Sequence, residues 1–167
     1  QLDGQIDKLS DWLKKKADEN CSVQLLQTQK GVGYLTALVT VHTLGDVERF
    51  KKVSKAVVNF AGLDPREMSS AGRVRFGSIT KAGSPLLRHH LGQAAMTATR
   101  YDLRLKAFYK RLAKKKPKAV ARTAASRKLL VKLAIMLRDG ITAEEFDRRG
   151  RTVGNARNIA RSEMTAA

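Results

Sequence analysis

The chain has 167 residues, 43% hydrophobic but only 5% aromatic, enough for one compact core or two small ones, and it carries a net charge of +18. No run of eighteen apolar residues is present, and the start, QLDGQIDKLSDW, has acids where a secretory signal has a basic patch and an apolar stretch, which argues against a membrane protein and a secreted one. A single cysteine, Cys21, excludes an internal disulfide and a cysteine-cluster zinc site, and His42, His89 and His90 lack metal-ligand spacing, so no metal site is expected in this chain.

The expectation is a soluble, cytoplasmic, nucleoid-associated protein of a bacterium or archaeon, with no membrane contact. The first residue is Gln1 rather than Met, as expected for a processed product or a piece of something longer. The charge is unevenly placed. Residues 65–128 hold seventeen Lys and Arg against two Asp and Glu, whereas residues 1–29 hold four against five. Cations gathered in one region with almost no acids are the electrostatic footprint of a polyanion, and DNA is the first candidate.

In chain order, Leu2, Ile6, Leu9 and Leu13 recur at helical spacing with charges elsewhere, which predicts a helical arm over residues 1–20 with a narrow apolar seam, suited to pairing copies of the chain into a homo-oligomer. A short helix with Leu25 and Leu26 then runs into Gly31-Val32-Gly33. A second follows with Leu35, Leu38 and Val39 on one side and Gly45 as its stop. The pattern fits a helix-hairpin-helix, whose glycines turn the backbone tightly and free the N–H groups of the second helix to meet a phosphate, with Lys30 as the cation, or else an ordinary two-helix turn. Asp46 is a cap candidate, and a helix from about Lys52 to Ala61 is expected to turn Val53, Ala56, Val57 and Phe60 inward.

Between Pro65 and Gly83 the helical period disappears. Val74 and Phe76 alternate with Arg73 and Arg75, consistent with a basic loop or short hairpin. This segment holds Ser69, Ser70 and Ser78, with Ser84 just past its end, and three readings compete for them: loop solvation, helix capping and nucleophilic chemistry. Ser84 directly precedes Pro85 and reads as the N-cap of the next helix, and Ser78 reads as a turn residue. Ala94, Ala95 and Ala98 then give a close-approach face. A further helix packs Leu105, Phe108 and Leu112, and Lys114, Lys115 and Lys116 precede the breaker Pro117. A long helix from about Ala119 to Arg138 is expected to bury Ala125, Leu129, Leu130, Leu133, Ala134 and Leu137 before Gly140 ends it. Thr142 and Glu145 form a capping box opening a helix to Arg149, and a polar tail follows.

The fold class is therefore all-α, mainly helical: a compact helical domain containing a helix-hairpin-helix, with an N-terminal helical arm (1–20), a central domain (21–140) with the basic loop or short hairpin near 65–83, and a short helix and polar tail (141–167).

Together, the blocks KGVGYLTALVTVHTLGDVERF, FAGLDPREMSSAGRVRFGSITKAGSPLLRHHL and RKLLVKLAIMLRDG resemble the C-terminal domain of the bridge-RNA-guided insertion-sequence transposases, the insertion sequence 110 and Piv-type family, over about Leu25 to Gly140. The family's glycine turn falls on Gly31 and Gly33, its GL-x-P on Gly62, Leu63 and Pro65, its serine-glycine motif on Ser69, Ser70 and Gly72, and its G-x-I-[TS]-K-x-G block on Gly77, Ile79, Thr80, Lys81 and Gly83. Lys30 stands where the family commonly has proline, Ala71 interrupts the serine-glycine pair, and no cluster of four acids is present.

The resemblance implies that a RuvC-like domain holding a divalent metal, magnesium, lies N-terminal to this part. It also implies that a serine of this part exchanges DNA strands, and that a guide RNA is a partner. It points to Ser69 and Ser70 as nucleophile, and Ser70, nearer the glycine, is preferred. A serine hydroxyl needs deprotonation and a neutralised phosphate. Arg73, Arg75, Lys81 and Arg88 are the cations expected to bind the scissile phosphate, with Lys30, Gly31, Gly33, Lys114, Lys115 and Lys116 as further nucleic-acid contacts. The competing expectation is a non-catalytic helical nucleic-acid-binding module whose serines only solvate a loop.

Overall fold

The computed structural model describes residues 2–68 and 75–150. Their order is α1 (Leu2–Asp18), α2 (Cys21–Gln27), α3 (Tyr34–Leu44), α4 (Val53–Phe60), β1 (Pro65–Glu67), β2 (Phe76–Ile79), α5 (Pro85–Tyr101), α6 (Leu103–Ala113), α7 (Lys118–Asp139) and α8 (residues 143–150). The chain is mainly helical, as its periodicities predict, with one antiparallel two-stranded ribbon.

Helix α7 is the spine. It packs against α2, α4, α5 and α6, so its middle is buried on more than one face, through Ala121, Ala125, Leu129, Leu130, Leu133, Ala134 and Met136. Each fully buried leucine contributes on the order of 1.5–3 kcal/mol. Met136, not Leu137, takes the inward place at the end of this row, and Leu137 is only half-buried. Ala94, Ala95 and Ala98 of α5 are buried where α5 meets α3 and α7, because short side chains bring the helix axes close.

Most helix ends follow local chemistry. Ser84 caps α5 by accepting the Leu87 N–H at 3.3 Å, with Pro85 in the first turn. Asp102 caps α6, accepting from the Arg104 and Leu105 N–H groups at 2.9 Å. The left-handed Gly140 stops α7, and the Thr142 hydroxyl accepts the Glu145 N–H at 3.3 Å. Asp46 accepts the Glu48 N–H within a turn, and no helix forms between Asp46 and Val53.

Four expectations about faces and turns are corrected. Leu35 is 37% exposed because Thr36, Ala37, Leu38 and Thr40 fill the inner face of α3. Phe60 points outward, edge-on to Phe50 at 5.5 Å with Arg49 against both rings, since Val57 and Val58 hold the core positions of α4. Phe108 is half-buried, its ring under Lys128 at 4.1 Å. Ser78 lies within β2 rather than in a turn, because the ribbon pairing extends over it.

Along α1, Leu2, Ile6, Leu9 and Trp12 are all more than half exposed; only Leu13 and Ala17 reach the core, against α2 and α3. Among the described residues no helix is long and apolar enough to cross a membrane. The polar tail expected beyond Gly150 lies outside the described residues.

Candidate nucleic-acid interface

The ribbon is a short lever rooted in the core. β1 and β2 run antiparallel with Pro65 opposite Ile79 and Glu67 opposite Phe76. Beyond that register the Met68 N–H donates to the Arg75 carbonyl at 2.7 Å. At the root, the Thr80 hydroxyl donates to the Asp64 carboxylate at 2.6 Å, and the Lys81 N–H donates to the Gly62 carbonyl at 3.0 Å. The connection at the far end carries Ser69, Ser70 and Arg73, which lie outside the described residues. Arg75 and Lys81 are both exposed, at opposite ends of β2.

Arg88 is half-buried beneath the ribbon root. Its Nη1 donates to the Gly83 carbonyl at 2.6 Å and to the Ala61 carbonyl at 3.1 Å. It thus ties the end of α4 to the start of α5, a positioning task in addition to the phosphate contact expected from its charge.

The second cationic feature is the α6–α7 hairpin. Lys114 ends α6, and the N–H groups of Lys115 and Lys116 both donate to the Leu112 carbonyl at 2.9 Å, which turns the chain before Pro117 opens α7. Lys110, Arg111, Lys114, Lys115, Lys116, Lys118 and Arg122 are all exposed. Among the described residues no carboxylate pairs with any of them; the ion pairs found involve other cations, such as Lys132 with Asp147 at 2.8 Å. A basic surface without acidic partners is left with its field directed at solvent. Lys118 and Arg122 lie one helical turn apart, about 6 Å, and lead from the hairpin tip toward Arg88, since Arg122 and Arg88 line one cavity.

The glycine turn is separate from this track. Gly31, at φ +95°, packs against α5 so closely that a Cβ would stand 2.5 Å from the Ala98 nitrogen, so close helix packing alone requires glycine there. Gly33 begins α3 with open space above it and no side-chain cap, and Lys30 is exposed beside it. From Ala98 to Arg88 is ten residues of α5, about 15 Å. Lys30, Gly31 and Gly33 therefore lie toward one end of α5, while Arg88, Lys81 and the ribbon root lie at the other.

Sequence reasoning passed over His89, Gln93 and Arg122, which line the cavity with Arg88. The one available signal is the spacing of four between Lys118 and Arg122 and between His89 and Gln93. It also passed over a larger cavity of about 530 Å³ among α4, α6, α7 and α8, where Arg104, Arg127 and Lys128 stand beside Phe108 and Phe146. Among the described residues no group of three or more His, Cys, Asp or Glu side chains is placed to hold a metal ion.

The chain has relatives among known proteins over part of its length. Over 86 residues, 52% of this chain, it is 38% identical to the transposase for insertion sequence element IS1111A of Coxiella burnetii, covering 23% of that protein. It is 38% identical over 90 residues to putative transposase y4pF/y4sB of Sinorhizobium fredii, covering 53% of this chain and 22% of the relative. It is 27% identical over 99 residues to a probable family 20 transposase of Pseudomonas aeruginosa, covering 59% and 29%. The match thus spans less than a third of each relative's length. Residues 23–110 match the family described as Transposase IS116/IS110/IS902 family, and the chain belongs to that family.

Proposed function

We propose that this chain is the DNA-binding, strand-exchanging part of a serine-dependent insertion-sequence transposase. The observation that carries the reading is the unpaired basic track from the α6–α7 hairpin to the root of the ribbon whose connection bears Ser69 and Ser70. The track binds the DNA backbone through Lys114, Lys115 and Lys116, and Ser69 and Ser70 follow β1 in sequence. Lys30 and the α3 start give a second phosphate contact of the helix-hairpin-helix kind.

In the reaction, Ser70 Oγ attacks a backbone phosphorus. The Oγ–P bond forms as the bond from phosphorus to the 3′ oxygen breaks, the departing 3′ oxygen takes a proton, and a phosphoserine-linked 5′ end remains. A new 3′ hydroxyl then attacks that phosphorus and releases the serine. Arg73, Arg75 and Lys81, which follow the serines in sequence, are the cations for neutralising the added charge. The described residues do not fit a magnesium site, and the metal belongs to a RuvC-like domain expected elsewhere in the whole protein. A guide RNA is a further expected partner, and the exposed seam of α1 pairs copies of the chain. Sedimentation of an Ile6→Glu, Leu9→Glu variant as a smaller species than wild type tests that pairing, and unchanged sedimentation overturns it.

The test of the chemistry is covalent trapping on nicked DNA by the full-length protein with its RNA and metal. Ser70→Ala abolishes the adduct while DNA binding and melting temperature stay at wild-type values, and Ser69→Ala is milder. Strand exchange at a normal rate by the Ser69→Ala, Ser70→Ala double variant overturns the nucleophile and leaves the non-catalytic binding module.

A further inference from the structure

Beneath the ribbon root, the N-terminal halves of α5 and α7 enclose a cavity of about 200 Å³ lined by Arg88, His89, Gly92, Gln93, Arg122 and Thr123, with Leu63 and Ile79 at the ribbon side. No carboxylate lines it. Its hydroxyls are already committed: Thr123 donates to the Ala119 carbonyl at 3.0 Å, and the buried Ser126 donates to the Arg122 carbonyl at 3.0 Å. The free donors are therefore two guanidinium groups, an imidazole and an amide. Arg88 is held rigidly by its bonds to Gly83 and Ala61, which use one nitrogen and leave the rest of the fork available. Arg122 has no acid partner among the described residues.

Gly92 is the independent observation. It sits in the interior of α5, where glycine costs about 1 kcal/mol relative to alanine. Its backbone is ordinary for a helix, since it is absent from the positive-φ residues. A Cβ built on it meets nothing within 4 Å. Neither packing nor conformation accounts for the missing side chain, whereas close approach of a bound group to the helix does.

We propose that this cavity is a phosphodiester seat that takes one backbone phosphate of a DNA strand. Arg88 and Arg122 bind the non-bridging oxygens, and the adjoining sugar lies over Gly92. The seat rests on the DNA-binding reading and extends it. A strand that runs along Lys118 and Arg122 enters the seat, which fixes its backbone at the root of the ribbon. Arg88 and Arg122 are then positioning residues for strand exchange.

The experiment measures affinity of the 167-residue chain for a DNA duplex across a range of salt. Arg122→Gln lowers affinity about tenfold, the loss of one charge-assisted contact, and reduces the log–log salt slope by about 0.9. Gly92→Leu fills the seat and lowers affinity comparably while the melting temperature holds or rises. If the leucine variant does not fold, the exposed Arg122 substitution reads the same seat alone. Wild-type affinity and slope in Arg122→Gln, alongside weakened binding by a Lys114→Gln, Lys115→Gln, Lys116→Gln variant, overturn the seat and leave the DNA-binding reading standing. Absence of DNA binding by the wild-type chain overturns that reading and the seat with it.

Discussion

Gly83 lies directly against Phe60: a Cβ added to Gly83 would strike the Phe60 carbonyl oxygen, and would stand 2.6 Å from the carbonyl carbon of Ala61. The end of α4 and the approach to α5 are thus pressed backbone to backbone, and Arg88 clamps the same point through the Gly83 and Ala61 carbonyls. Both neighbours are main chain and cannot swing aside. Gly83→Ala is expected to cost at least about 2 kcal/mol by overpacking. Chemical denaturation checks it, and an unchanged midpoint would show that the two segments separate without penalty.

Ser84 is next in line and has a different task. Its hydroxyl accepts the Leu87 N–H and caps α5. Ser84→Ala is expected to destabilise the chain by about 1 kcal/mol, and Ser84→Asp to retain most of the stability, because either oxygen caps. DNA binding of the folded Ser84→Ala variant stays near wild type. Loss of binding at unchanged stability would give this serine a role at the interface instead.

The seventeen cations between residues 65 and 128 make a quantitative demand. Affinity for duplex DNA is expected to fall steeply with salt, with a log–log slope of about −0.9 for each phosphate neutralised. Neutralising Lys114, Lys115 and Lys116 together should flatten the slope by up to three such increments. Titrations at several salt concentrations measure it, and a salt-independent affinity would remove the electrostatic argument.

His90 gives a pH signature. Burial, with the neighbouring His89 adding repulsion, holds its pKa below the ordinary 6.5. The unfolded chain therefore takes up this proton more readily than the folded one. The native state loses nothing from this group above 6.5, and stability declines as pH falls below 6.5 toward the folded value. Denaturation midpoints across that window should fall less in His90→Gln than in wild type; equal declines would assign the acid sensitivity to other groups.

Helix ends were the most legible part of this sequence, because a cap is written in two or three adjacent residues. Ser84 with Pro85, the Thr142 cap and Gly140 behave in the fold as their chemistry dictates, while the Glu145 carboxylate pairs with Arg148 and Arg149. Which side of a short helix faces inward is not local. Leu35 and Phe60 read as core by size, yet smaller neighbours with better-placed partners took the interior. The charge map was readable as a region but not as a surface: the track from Lys114 to Arg122 needs the helical hairpin, and Arg122 and Arg88, more than thirty residues apart in the chain, meet only through the packing of α7 on α5. Arg88 was legible as a cation, whereas its clamp on two carbonyls required the folded turn at Gly83.

The hydroxyl of Thr28 accepts the Ala143 N–H at 3.0 Å while donating to the Leu25 carbonyl at 2.7 Å, so the last helix is fastened to the second by a bond that spans 115 residues. Loops of that span are closed late, after the nearest-neighbour pairs α2 with α3 and α6 with α7 have formed. As the chain leaves the ribosome, its early helices stay unsealed until residue 143 has emerged. In the native protein α8 hangs on few bonds to the rest, and amide exchange at Ala143 is expected to outpace exchange in the middle of α7.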